Sequence, residues 1–313
     1  MRWDVAHRVA SIAAVQAHRD YGIDRDRYVD VFAAMTAAGV VCMGQPMPRL
    51  LGYYRAPEDD GPAILVNSGQ DEIGIRHGGG HEFGHFVLKH RSCVDEDPFE
   101  RWGDGTWPDE EKTAEAFAAW FLMPPPAVRA ALRVIGLAEP REPTDVYQLA
   151  RWLGTSYAGT VRHLVNIHLL RPAQAETWSR IAPATLRRRA QGPADEPPGH
   201  VWVMRRSAHG STAHVAAGDR LHLLFPACPS QIELPAGVKY VQRTESRSRG
   251  RSAAPVDFEP GLLLQVTDTL TSPADLLVHP GDGREPWQVT LMPAPLRQGL
   301  PEAWHCCWPT CDH

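Results

Sequence analysis

The sequence predicts an α+β protein in three parts: a mixed N-terminal domain with a small antiparallel sheet, a helical middle, and an all-β, sandwich-like C-terminal domain. Three observations predict it. Amphipathic helical runs flank short β-rich segments before residue 126. Helical periodicity then fills residues 127–190. From His200 onward, short β-rich runs alternate with Gly, Pro and Ser. The 313 residues exceed one small domain, and QGPADEPPG (191–199) has linker composition. The expected division is 1–126, 127–190, the linker 191–199, and 200–313.

The first helix covers MRWDVAHRVASIAAVQAHRD, with Val5, Ile12, Ala13 and Val15 near one face. A second carries Val29, Phe32, Ala33 and Met35 and ends at Gly39. VVCMG, GYYRA and AILVN read as antiparallel strands, with AILVN (63–67) either at the edge of the sheet or inside it. Next comes RHGGGHEFGHFVLKH (76–90). Each glycine in a helix costs up to ~1 kcal/mol relative to alanine. The regular helix is therefore expected to begin at or after Gly78; the alternative is a close approach of the backbone to a neighbour there. FERWGDGTWPDE (99–110) has turn chemistry. EEKTAEAFAAWFLM follows as a strong helix with the stripe Ala114, Phe117, Ala118, Phe121 and Leu122, stopped by Pro124, Pro125 and Pro126. In the middle region, two helices are expected around Gly154-Thr155-Ser156. HVWVMR, RLHLLF, VKYVQR, GLLLQV, DLLVHP and WQVTLMP supply the C-terminal strands.

Charge and composition narrow the function. A net charge of -5 and a pI near 6.3 argue against a dedicated nucleic-acid binder. No apolar run approaches the ~20 residues that span a bilayer, so no membrane partner is expected. Six cysteines are too few and too unevenly placed for a disulfide framework. The N-terminal helix lacks the apolar core of a signal peptide. A cytoplasmic location is the expectation.

The chemistry lies in His81-Glu82-Phe83-Gly84-His85. Residues four apart share a helix face, so His81 and His85 can bind one ion through their imidazoles. Glu82, one residue along, sits near the ion without ligating it and is the candidate general base. Two imidazoles plus one carboxylate suit a single zinc ion with one position left open. The carboxylate must come from a second element. On the helix after residue 109, periodicity favours Glu110 and Glu111, with Glu115 third, and does not choose among them. Tyr53, Tyr54, His77 and His90 are the donors nearest in sequence for stabilising an oxyanion.

In AILVN, HEFGH and EKTAEAFAAWFLMP the chain resembles the ImmA/IrrE family of zinc metallopeptidases, over about residues 20–170. The resemblance implies a zincin-like metallopeptidase domain. It also implies that the glutamate thirteen residues before Pro124, Glu111, completes the zinc site. By the same resemblance the substrate would be a repressor with a helix-turn-helix domain, cleaved to switch genes of a stress response or a mobile element. The glycines before His81 depart from the family pattern, as does Glu115, where asparagine is common. The expected function is a zinc endopeptidase with His81, His85 and Glu111 as ligands and Glu82 as base. Its rival is a non-proteolytic regulator that binds DNA or a repressor, with structural zinc. LARWLGTSYAGTVRHLV has the spacing of a DNA-reading helix pair, offering Tyr157, Arg162 and His163, with LRRRA (186–190) nearby; packing is preferred over DNA contact. The tail HCCWPTCDH (305–313) gathers three cysteines and two histidines at a spacing that matches no standard zinc finger.

Overall fold

The computed structural model describes residues 1–47, 50–96, 107–192, 195, 199–226, 228–247, 258–268, 270–281 and 283–293. The 305–313 tail, most of the 99–110 loop and most of the 191–199 linker lie outside the described residues. The chain is of mixed α+β class, and its described residues form two compact units that meet in sequence at Pro124 and Pro125. Among the described residues, no helix is long and apolar enough to cross a membrane.

The first unit contains α1 (Trp3–Asp20), α2 (Val31–Ala37), β1 (Val41–Gln45), β2 (Leu50–Arg55), β3 (Ala63–Asn67), α3 (Glu72–Val87), β4 (Cys93–Glu96) and α4 (Asp109–Leu122). Of the expected inward face of α1, Ala13 alone packs, half-buried, against the core. Val5, Ile12 and Val15 are exposed, Ile12 by 69%, while Ala6, Ala10, Ala14 and Ala17 are buried. The reason is steric: an alanine ridge lets α1 lie close along α4, which bulkier residues on that face would hold away. On α4 the expected stripe is buried throughout. Its Phe117 and Phe121 stack at 5.3 Å, and Phe83 of α3 meets their edges at 6.1 and 5.4 Å. Such aromatic pairs add ~0.5–1.5 kcal/mol each beyond area burial.

The sheet order is β1-β3-β2-β4. β3 pairs antiparallel with β2 but parallel with β1, so the sheet is mixed and the expectation of antiparallel strands alone is corrected. It also lies inside the sheet, with both its ladders filled, so it is not the edge to which a substrate segment could add. Asn67 at its end explains how β3 stays between β1 and β2. The side chain accepts from the N–H of Met47 at 3.0 Å and donates to the carbonyls of Met47 and Leu50 at 2.6 and 2.8 Å. It thereby holds the β1–β2 connection across the end of β3, replacing a direct hairpin ladder.

The second unit starts with five helices: α5 (Pro125–Val134), α6 (Pro143–Leu153), α7 (Tyr157–Asn166), α8 (Pro172–Ser179) and α9 (Pro183–Gln191). Four of them begin on proline, whose fixed φ and missing N–H suit the first helical turn. The expected turn between α6 and α7 is present. Gly154 is left-handed, with φ 62, and Ser156 caps α7 by accepting from the N–H of Gly159 at 3.0 Å.

Eight strands follow: β5 (Val201–Met204), β6 (Ser211–Val215), β7 (Arg220–Leu224), β8 (Pro229–Glu233), β9 (Val238–Arg247), β10 (Phe258–Val266), β11 (Ala274–Pro280) and β12 (Trp287–Pro293). They form two four-stranded mixed sheets, ordered β5-β7-β10-β9 and β6-β12-β11-β8. The rings of Phe225, just past β7, and Trp287, at the head of β12, pack with their centroids 6.4 Å apart. The helices and sheets are one compact unit because α6 closes the outer edge of β5. Gln148 donates to the carbonyl of Val201 at 2.9 Å and accepts from the N–H of Val203 at 2.8 Å, while the Tyr147 hydroxyl accepts from Val201 at 3.1 Å.

Candidate metal centre

The motif helix α3 starts where the Asp71 side chain accepts from the N–H of Gly74 at 2.7 Å. It runs from Glu72, so Gly78, Gly79 and Gly80 all lie in its interior, and the expected start at or after Gly78 is overturned. Close packing explains Gly79 and Gly80 instead, while Gly78 stands open, an added Cβ there lying 3.6 Å from the Leu51 carbonyl oxygen. A Cβ at Gly79 would stand 3.3 Å from Phe32 of α2, and one at Gly80 would stand 3.1 Å from Leu122 of α4. At Gly84 it would meet Phe117 at 3.0 Å and the Ala114 backbone at 3.1 Å. Gly80 and Gly84 let α4 approach α3 as no larger residue would, and Gly79 does the same for α2.

That approach brings Glu111 to the histidines. His81 Nε2 lies 3.1 Å from His85 Nε2 and 3.2 Å from Glu111 Oε2, and Glu111 Oε1 lies 3.8 Å from His85 Nε2. All three residues are buried. Glu110 is exposed, and Glu115 stands on the far side of the His81 ring, 3.5 Å from Nδ1. So α4, whose periodicity left three glutamates open, presents Glu111 to both Nε2 atoms.

The donor set fits a metal ion by the spacing of its ligand atoms. Zinc–nitrogen and zinc–oxygen bonds of ~2.0–2.1 Å place tetrahedral ligands about 3.4 Å apart; the separations of 3.1, 3.2 and 3.8 Å bracket that edge. Burial disfavours the charge on Glu115, but the facing rings of His77 and His81 outweigh this and hold its carboxyl well below the usual range. An ionised carboxylate only accepts, so His77 Nε2, at 2.9 Å, and His81 Nδ1 carry protons toward it. His81 Nε2 points the other way, toward His85 and Glu111. This buried His81–His85–Glu111 group could hold a metal ion.

Glu82 is fully buried between α3 and the sheet. β2 carries glycine opposite it: a Cβ at Gly52 would fall 2.1 Å from Glu82 Oε1. Cys93, half-buried on β4, lies near enough that single ligand atoms of Glu82, His85 and Cys93 are all within 4.8 Å of one another. No sequence signal linked this thiol to the site, because the contact depends on β4 pairing with β2.

The four expected oxyanion donors are placed as follows. Tyr54 is 1% exposed and stacks on the His85 ring at 6.2 Å; burial pushes its hydroxyl up to about 12. Tyr53 alternates to the opposite face of β2. His77 binds Glu115, and His90 Nδ1 lies 3.0 Å from His85 Nδ1. His77 and His90 therefore stand behind the two ligand rings, away from the Nε2 atoms. Of the three residues offered for DNA contact on α7, Tyr157 and His163 are buried at 4% and 1% exposure, and Arg162 is exposed.

Comparison with known proteins adds little. No model of a known protein family matches the chain, and no curated protein matches it. Among solved structures, the solution structure of amebosin is similar over 30% of this chain and 97% of its own length, at 8% identity and a TM-score of 0.22. A likeness of that size carries no argument about fold or function.

Proposed function

We propose that this protein is a zinc-dependent endopeptidase whose substrate is a transcriptional repressor with a helix-turn-helix domain. The observation that carries the reading is the buried His81–His85–Glu111 group beside the buried Glu82. A purely structural site needs no acid–base residue, whereas the helix here sets a carboxylate directly after the first ligand. The substrate class rests on the resemblance in HEFGH and EKTAEAFAAWFLMP. A bound zinc ion supplies Lewis acidity, polarising the scissile carbonyl and acidifying water. His81, His85 and Glu111 would hold that ion. Glu82 takes the proton of the attacking water and returns it to the departing amine. Burial on the sheet side keeps Glu82 in place, since Gly52 leaves room for its carboxylate and little else. The rival reading, direct DNA binding through α7, is disfavoured because Tyr157 and His163 are spent on packing.

The test pairs the wild type with Glu82→Gln and Glu111→Ala. Metal content is measured by mass spectrometry, and cleavage on the repressor encoded beside this gene. The wild type should hold one zinc per chain and cleave. Glu82→Gln should keep the zinc and lose cleavage by about 10²- to 10⁴-fold, and Glu111→Ala should lose the zinc. A Glu82→Gln variant that cleaves normally sinks the mechanism.

A further inference from the structure

The two candidate ligands differ in what stands behind them. His81 faces the Glu115 carboxylate. His85 faces another imidazole, that of His90, at 3.0 Å between Nδ1 atoms. Two facing Nδ1 atoms share one proton, and the surroundings decide which ring owns it. His90 Nε2 lies 3.4 Å from Thr113 Oγ1. The Thr113 hydroxyl is itself a donor to the carbonyls of Asp109 and Glu110, at 3.1 and 2.9 Å. With its own proton committed there, Thr113 receives His90 through a lone pair, so His90 Nε2 bears the hydrogen. A neutral His90 then has only a lone pair at Nδ1, and the shared proton belongs to His85 Nδ1. This leaves His85 Nε2 bare, pointing at His81 and Glu111.

We propose that His90 is a positioning residue for the metal centre, acting with Thr113 to select the His85 tautomer and to tie that ligand to the turn of α4 that carries Glu111. The path runs from His85 Nδ1–H to His90, from His90 Nε2–H to Thr113, and from Thr113 to the carbonyls of the first turn of α4. It therefore closes a ring between the helix that bears two ligands and the helix that bears the third. Its backing is a neutral imidazole, in contrast with the anionic Glu115 behind His81. The proposal rests on the metal-binding part of the function proposed above and is independent of peptide cleavage.

Outer partners of metal-bound histidines are worth about 10- to 100-fold in affinity. The experiment measures zinc dissociation constants by chelator competition for the wild type, His90→Ala, His90→Asn, Thr113→Val and Thr113→Ser. Thermal unfolding of each zinc-free protein is recorded alongside. His90→Ala should weaken zinc binding about 10- to 100-fold with little change in zinc-free melting. His90→Asn should recover most of it, because an amide oxygen can accept from His85 Nδ1–H. Thr113→Val should weaken binding less than His90→Ala, and Thr113→Ser should match the wild type. In the zinc-loaded wild type, nitrogen-15 spectra of labelled histidine should show His85 protonated at Nδ1. The proposal is overturned if His90→Ala binds zinc within threefold of the wild type, or if His90→Asn binds as weakly as His90→Ala. A wild type that binds no zinc overturns the metal centre itself. Zinc binding unaffected by His90 overturns only the relay.

Discussion

Alanine placed at two glycines six residues apart in α3 should change stability in opposite directions. In an open helical site, Gly→Ala stabilises by up to ~1 kcal/mol through helix propensity and a less flexible unfolded chain. Gly78 is such a site: an added Cβ meets only the Leu51 carbonyl oxygen, at an ordinary 3.6 Å. Gly84 offers the same gain, but its Cβ would meet Ala114 Cα and O at 3.1 Å and Phe117 at 3.0 Å. Backbone atoms cannot rotate away, so α4 must shift, and overpacking of this kind costs ~1–3 kcal/mol. Taking the upper part of that range, Gly84→Ala loses about 2 kcal/mol net. On the order of 4 °C of melting temperature accompanies each kcal/mol in a unit of this size. Thermal unfolding of zinc-free protein should therefore show Gly78→Ala a few degrees above the wild type and Gly84→Ala several degrees below it. Gly84→Ala should also weaken zinc binding, since the same shift moves Glu111 away from His85. If both variants melt above the wild type, the packing account of the glycines is wrong.

Two further outcomes follow from geometry away from the candidate metal centre. Gln148→Leu removes the side chain that bonds both Val201 and Val203. Leaving two buried backbone groups unmet costs about 1–3 kcal/mol each, so urea unfolding should show a clear fall in midpoint, and an unchanged midpoint would mean that α6 does not close the edge of β5. His18 is buried at 2% exposure, and burial pulls its pKa from 6.5 down to about 4 despite the carbonyls of Ala14 and Phe121 at 2.7 and 3.0 Å. Its folded value is depressed, so the unfolded chain takes up the proton first as pH falls. Stability contributed by neutral His18 is full above pH ~6.5 and is lost toward pH ~4; at ~1.4 kcal/mol per pH unit the loss is about 3 kcal/mol. The stability gap between the wild type and His18→Gln should narrow across that window, and a gap independent of pH would exclude His18 as the titrating group.

What the sequence determined alone is what short-range periodicity encodes. His81 and His85 share a face because four residues make about one helical turn. Ala114, Phe117, Ala118, Phe121 and Leu122 lie inward for the same reason, and the turn at Gly154 follows from the backbone freedom of glycine. Each of these depends on neighbours within a few residues. The tertiary structure decided the rest, because those outcomes depend on contacts between distant segments. Periodicity left Glu110, Glu111 and Glu115 open, and the resemblance pointed to Glu111. The carboxylate that meets the histidines depends on how α4 docks on α3, and that docking depends on Gly80 and Gly84. Val5, Ile12 and Val15 looked like an inward face, yet the alanines beside them permit the closer approach and are buried instead. β3 entered the sheet between β1 and β2 because Asn67 holds a connection some twenty residues earlier in the chain. His90 looked like one more donor near the motif, and its place behind His85 depends on Thr113, 23 residues further on.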